Sequence, residues 1–182
     1  MLHGFFLLTL DKNCIILYLT NRLNFYTKVS MRKKENEIID RKALEEILER
    51  SKICRIALCD AGQPYIIPVC FGYKDDTLYF HSAREGRKIE ILRQNNSVCF
   101  ECEIDVQFVK NEKACKWSCM YKSVIGFGTA SFVEDTDEMR EAYEVIMAHY
   151  SDGIYKFPEQ EMKKSKIVKV DVHKMTGKQS ND

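Results

Sequence analysis

Residues 77–95 read TLYFHSAREGRKIEILRQN, and the apolar period changes inside the stretch. Leu78 and Phe80 fall on one face and Tyr79 and His81 on the other, the alternation of a strand. From Ile89 onward the spacing becomes helical, with Ile89, Ile91 and Leu92 as the apolar stripe. Ser82, Gly86, Arg87 and Lys88 lie between the two. A hydroxyl, a flexible glycine and two cations at a helix start are what a phosphate group needs: donors, opposite charge and the positive end of a helix dipole. Arginine brings a planar fork and lysine a point charge, so the pair can grip a dianion from two sides. The plainer reading is a solvated basic turn. Helix dipoles favour acids rather than cations in a first turn, which is a point for a bound anion. For His81 the plain reading is a strand-end histidine half in solvent.

Upstream, Asp40 is a good N-cap for a helix over Arg41–Ser51, with Ala43, Leu44, Ile47 and Leu48 at helical spacing. Ile53–Asp60 alternates as a buried strand, and Asp60–Pro64 has the composition of a turn. Tyr65–Tyr73 returns as its hairpin partner with Pro68 inside it. Proline cannot donate to a ladder, so position 68 marks an edge, a bulge, or a place where a flat ligand replaces a strand. Downstream, Asn95-Asn96 ends the helix and Ser97–Asp105 is the next strand. Val106–Ala114 is polar and irregular, a loop or a frayed continuation. Met120–Glu134 is a long strand in which Gly126 and Gly128 share a face; a bare face suits a strong bend or close approach of another backbone or ring. Thr136–Tyr150 is a helix with Met139, Tyr143, Ile146 and Met147 on one side. Asp152–Gln160 is a loop, and Ser165–His173 is the closing strand. Trp117, the only tryptophan, reads as core. Six strands with short turns and flanking helices indicate an antiparallel α+β barrel.

The chain has 182 residues, enough for one domain with a substantial core. Its net charge of +1 gives no electrostatic case for a nucleic-acid or membrane partner. Among the eight cysteines, Cys99-x2-Cys102 and Cys115-x3-Cys119 superficially suggest a zinc site. Residues three apart on a strand point to opposite faces, so Cys99 and Cys102 cannot converge without a turn, and no metal site is expected. Reduced thiols in a cytoplasmic protein are the expectation. Residues 1–30 hold two apolar runs far shorter than a bilayer span, and a second methionine, Met31, opens the charged run that follows. They read as an extension outside a domain covering 31–182. No dinucleotide fingerprint, Walker loop, nucleophile elbow or zinc-protease motif is present. What remains is a cofactor that brings its own reactivity.

Four pieces, in order, carry a family likeness: CRIALCDAGQPYIIPVCFGY (54–73), YFHSAREGRKIEIL (79–92), KACKWSCMYKSVIGFGTASFVED (113–135) and VKVDVHKMTGK (168–178). Together they resemble the pyridoxamine 5'-phosphate oxidase-like split-barrel proteins, and within them the nitroimidazole-resistance (Nim) branch. The resemblance implies a split β-barrel that binds FMN at the interface of a homodimer. It implies that Arg87 and Lys88 hold the FMN phosphate with help from Ser82, that His81 is the active-site histidine, and that the backbone at Ile67, Pro68 and Val69 faces the isoalloxazine edge. Trp117, Ser123, Gly177 and Lys178 are further implied contacts. The implied reaction is reduction of a nitroaromatic such as a 5-nitroimidazole to an amine. A flavin-binding electron carrier without a dedicated substrate, or a haem-binding split-barrel protein, also fits these motifs.

Overall fold

The computed structural model describes residues 33–180, so the expectations for residues 1–30 lie outside it. In chain order the elements are β1 (Glu37–Ile38), α1 (Arg41–Arg50), β2 (Cys54–Asp60), β3 (Gln63–Val69), β4 (Phe71–Lys74), β5 (Thr77–Ala83), α2 (Arg87–Gln94), β6 (Ser97–Val109), β7 (Ser118–Val133), α3 (Thr136–Ala148), α4 (Glu159–Met162) and β8 (Ser165–Ser180). The sheet runs β3-β2-β6-β7-β8-β5-β4, with β1 added on β8, and every pairing is antiparallel.

The α+β antiparallel barrel is therefore as expected, with eight strands instead of six. One extra strand is the short β1. The other arises because the expected strand 65–73 divides at Cys70. Val69 still pairs with Cys54 on β2, whereas Phe71 pairs with Phe80 on β5. The chain changes partners within one residue. As a result the two ends of the sheet, β3 and β4, are consecutive in sequence and joined covalently at Cys70 without pairing to each other.

The inward rows are aromatic and aliphatic: Ile56, Phe71, Leu78, Phe80, Phe100, Val124, Val168 and Val170 are all fully buried. Each such side chain contributes about 1.5–3 kcal/mol by leaving water. Gly126 and Gly128 also face inward. A Cβ at 126 would lie 2.0 Å from the Phe100 ring, and one at 128 would lie 2.5 Å from the Asp171 carbonyl oxygen. The bare face thus admits one ring and one backbone of the protein itself, and it belongs to the interior, not to an outer patch.

Helix α1 starts where Asp40 accepts the Ala43 N–H at 3.0 Å, and its stripe of Leu44, Ile47 and Leu48 joins this core. Helix α3 is capped by Asp135, which accepts from Asp137 and Glu138, and packs Met139, Ala142 and Ile146 on Val133, Met162 and Ile167. Its end is then pinned. The Tyr150 hydroxyl accepts from the Phe71 N–H at 2.9 Å and donates to the Lys52 carbonyl at 3.1 Å, while His149 Nε2 donates to the Ser51 carbonyl at 2.7 Å. Burial pushes the Tyr150 hydroxyl up to about 12, so it stays a neutral donor. Tyr150→Phe leaves the N–H of fully buried Phe71 without an acceptor. The expected loss is about 1–3 kcal/mol, read as a lower urea midpoint at unchanged m-value.

Two strands outrun their sequence patterns. β6 continues to Val109 through an irregularity between Ile104 and Gln107, where Asp105 takes φ 57°. β8 passes a bulge at His173, since Gly128 pairs with Val172 and Phe127 with Lys174, and runs on to Ser180. Trp117 is not core: 53% of it is exposed at the β6–β7 tip, and its indole N–H donates to the Asn111 carbonyl at 2.7 Å.

Cys102 is buried inside the barrel and Cys99 lies on the outer side of β6, on opposite faces as a strand demands. Continuing the β2–β6 register sets Cys102 across from Cys54. The Cys54 thiol is pushed well above its ordinary value by its hydrogen bond with Cys102 and by burial. Thiolates are the reactive form, so this pair should resist alkylation until the protein unfolds, while exposed Cys70 and Cys115 label in the native state. Peptide mapping after a pulse of iodoacetamide, with and without denaturant, reads the difference.

Candidate functional site

The barrel is open beside Cys70. β4 covers β5 only from Thr77 to Phe80, so His81, Ser82 and Ala83 have no strand on that side, although β8 pairs them on the other. β3 is the opposite end of the sheet and has one free edge along its whole length. The two bare edges leave a common point at Cys70, and the seam between them is the candidate cleft. Pro68 sits on that edge in unbroken register opposite Arg55, so it is the edge case, not a bulge. Ile67 is half-buried, Pro68 exposed and Val69 buried.

Helix α2 begins at the mouth of the cleft. Gly86 is its N-cap at φ 120°, a conformation that side chains rarely adopt, and supplies no capping side chain. Arg87 leans to the β2–β3 hairpin: its Nη2 lies 3.5 Å from Asp60 Oδ2 and its guanidinium 4.7 Å from the Tyr65 ring centroid. Lys88 is partly buried and, among the described residues, has no ion pair; burial lowers its pKa. A cation stripped of part of its water and given no counter-ion is poised for an anion.

Ser82 points the same way as Leu78 and Phe80, into the protein, and is only 3% exposed. Its Oγ is buried without a hydrogen-bond partner. Leaving a buried hydroxyl unsatisfied costs about 1–3 kcal/mol, so such atoms are rare and call for a cause. His81 is exposed on the other face of β5. The residues present therefore fit a phosphate-bearing cofactor: one spare donor, one free cation, one arginine fork and a glycine-opened helix start.

The remaining expected contacts lie elsewhere. Ser123 pairs with Lys178 on the outer side of the barrel, and Lys178 Nζ stands 5.4 Å over the Tyr121 ring. Gly177 is buried, tight against Leu44 and Ile38. The Ala130 N–H bonds the Asn96 carbonyl just past α2, and from there to Ser123 is roughly 23 Å along β7 at 3.3 Å per residue. Ile67, Pro68 and Val69 thus lie on the β3 side of the seam and His81, Ser82, Arg87 and Lys88 on its β5–α2 side, whereas Trp117, Ser123 and Lys178 belong to the β6–β7 tip and the β7–β8 pair. Sequence reading missed two members of the cleft. Asp60 and Tyr65, which seat Arg87, carried no signal beyond their place in a hairpin.

Among the described residues no helix is long and apolar enough to cross a membrane.

An antiparallel barrel left open at one seam beside a basic strand–helix turn is the architecture of the split-barrel proteins. Residues 40–179 match the pyridoxamine 5'-phosphate oxidase family, and the chain belongs to it. A candidate 5-nitroimidazole antibiotic resistance protein from Bacteroides thetaiotaomicron VPI-5482 is 36% identical, with 78% of this chain and 85% of that one covered at a TM-score of 0.71. A flavocytochrome of Azotobacter vinelandii shares the fold at 17% identity and TM-score 0.73, covering 84% of this chain and 73% of its own. A FAD-binding protein of Mesorhizobium loti does so at 20% identity and TM-score 0.57, covering 79% and 96%. An uncharacterised protein of Rhizobium meliloti (strain 1021) is 26% identical over 91 residues, and the chain spans about half (53%) of that curated relative's length.

Proposed function

We propose that this protein is an FMN-binding oxidoreductase, working as a cytoplasmic homodimer, that reduces nitroaromatics such as 5-nitroimidazoles to amines. The observation that carries the reading is the buried, partnerless Ser82 hydroxyl in the same strand–helix turn as Gly86, Arg87 and the unpaired Lys88. The 36% identity to the Bacteroides protein supports the choice of substrate class. In this reading Arg87 and Lys88 hold the phosphate, Ser82 donates to it, and the β3 edge at Ile67, Pro68 and Val69 faces the ring system. FMN, when bound, supplies two-electron redox chemistry. His81 delivers a proton to the substrate or holds its nitro group, an imidazole being able to give and take protons near neutrality.

A two-fold mate is what the separated residues call for. In this reading a second copy brings its Trp117, Ser123 and Lys178 to the cleft, and the exposed Ile66 (61%) and Ile125 (41%) give that copy apolar surface to cover. An obligate contact of this kind should exceed about 2,000 Å2 in total.

The absorption spectrum of the protein as isolated is the test. A flavin spectrum is expected, with FMN released on denaturation, and a 5-nitroimidazole added after anaerobic reduction should restore the oxidised bands. A protein that takes up no FMN, or one showing a haem Soret band, overturns the cofactor. A monomeric mass by light scattering in the flavin-loaded state overturns the dimer.

A further inference from the structure

We propose a second ligand site, between α2 and the β7–β8 pair, that takes a phosphate monoester carrying a flat apolar body, the chemistry of a nucleotide. Arg87 faces the β2–β3 hairpin and does not line this groove, which is built on the far end of the helix at Leu92, Arg93 and Asn96. Its floor is a hollow of about 360 Å3 whose apolar lining is Leu92, Ala130, Phe132 and Val168. That is within the range of small-molecule pockets, roughly 300–1,000 Å3. A second hollow of about 300 Å3 adjoins it, sharing Arg93, and brings in Arg84 and Lys166 with Glu85 and Glu90 on its wall.

Beside this second hollow stands a further carboxylate, Glu134, which the nearby cations influence. Lys166, its side chain only 13% exposed, lies 5.1 Å over the Phe132 ring and bonds Glu134 at 2.9 Å. Glu134 itself is 74% exposed. Its carboxyl is held below the usual range by Lys166 first and then by Arg84 and Arg93. Among the described residues Arg84 makes no ion pair; its guanidinium donates to the Lys163 carbonyl at 2.5 Å. Arg93 has neither an ion pair nor a side-chain hydrogen bond among the described residues. Although Glu85 and Glu90 line the hollow, neither guanidinium is ion-paired among the described residues, and Lys166 has only the solvated Glu134, a weak counter-ion at the surface. A phosphate dianion offers them bidentate, charge-assisted bonds that Glu134 cannot supply to all three at once. Phe132, already faced by a cation, gives a planar base a ring to lie against. Glu134 stands in for the ligand's anion, and the hollow beside it accepts the ligand's body.

Titration calorimetry with adenosine 5'-monophosphate at low ionic strength tests this on the intact protein. The variants are Arg93→Gln, Arg84→Gln/Arg93→Gln and, as a control for the cleft, Arg87→Gln/Lys88→Gln. Wild type and the cleft control should bind alike. Arg93→Gln should weaken binding by about tenfold or more, and the Arg84→Gln/Arg93→Gln variant should abolish it. Arg93→Gln leaves the Arg84–Lys163 contact in place, so a folding defect of the double variant does not decide the outcome. No binding to wild type, unchanged affinity in Arg93→Gln, loss in the cleft control alone, or equal affinity for unphosphorylated adenosine would each overturn the proposal. None of these results depends on whether the cleft holds FMN.

Discussion

Replacing Arg87 and Lys88 together by alanine yields a folded protein that no longer retains FMN. Two charge-assisted contacts at about 1.5–3 kcal/mol each, at about 1.4 kcal/mol per tenfold, amount to a loss of roughly two to four orders of magnitude in affinity. Folding should hardly change. Arg87 makes one long surface pair to Asp60 at 3.5 Å, the kind that contributes about 0–1 kcal/mol, and Lys88 makes none. Ser82→Ala adds a test of opposite sign. It removes a buried hydroxyl that nothing satisfies, so the flavin-free protein should be as stable as wild type or more so, while flavin binding weakens. Flavin fluorescence titration and thermal melts with and without FMN read both effects. Unchanged affinity in the double alanine variant would remove the phosphate assignment.

Gly72→Ala is expected to be strongly destabilising. A Cβ at position 72 would stand 2.5 Å from the Val145 carbonyl oxygen, 2.6 Å from its carbon and 2.7 Å from the Ile146 nitrogen. All three atoms are helix backbone, so no rotamer relieves the contact. Nor can α3 simply lift away. Its apolar stripe is packed on β8, and Tyr150 and His149 tie its end to Lys52 and Ser51. Overpacking of this kind costs about 3 kcal/mol or more, or a melting temperature lower by roughly 6–12 °C for a domain of this size. A melt within about 2 °C of wild type would show that β4 and α3 are held less closely than described.

Much of the fold could be read from the chain because its strands alternate cleanly and its helices announce their caps. Asp40 does in three dimensions what its position implies. The failures have physical causes. Nothing at Cys70 signals a break, since neither glycine nor proline marks it; the strand divides because its two halves pair with different neighbours, which is a property of barrel closure. The far halves of β6 and β8 lack a clean apolar–polar alternation, and pairing with β7, joined at β8 by β1, keeps them extended. Trp117 is exposed despite its bulk because it lies at a ribbon tip, beyond the layer that would bury it. The candidate site shows the same limit. Gly86, Arg87 and Lys88 are adjacent in sequence and could be recognised together. The missing partner of Ser82, and the seating of Arg87 on Asp60 and Tyr65, exist only once distant strands have met.

The place of β8 in the sheet sets an order of assembly. It is the last strand along the described chain, yet it lies between β7 and β5 and also carries β1. Until it arrives, β5 and β7 each present a raw edge. During synthesis the N-terminal part of the barrel can gather its apolar rows but cannot join them. A stalled or clipped chain lacking this strand would expose two templates for strand addition from another molecule. The barrel is thus finished by its final strand in a single cooperative step, and quality control has most to guard against in the interval just before it.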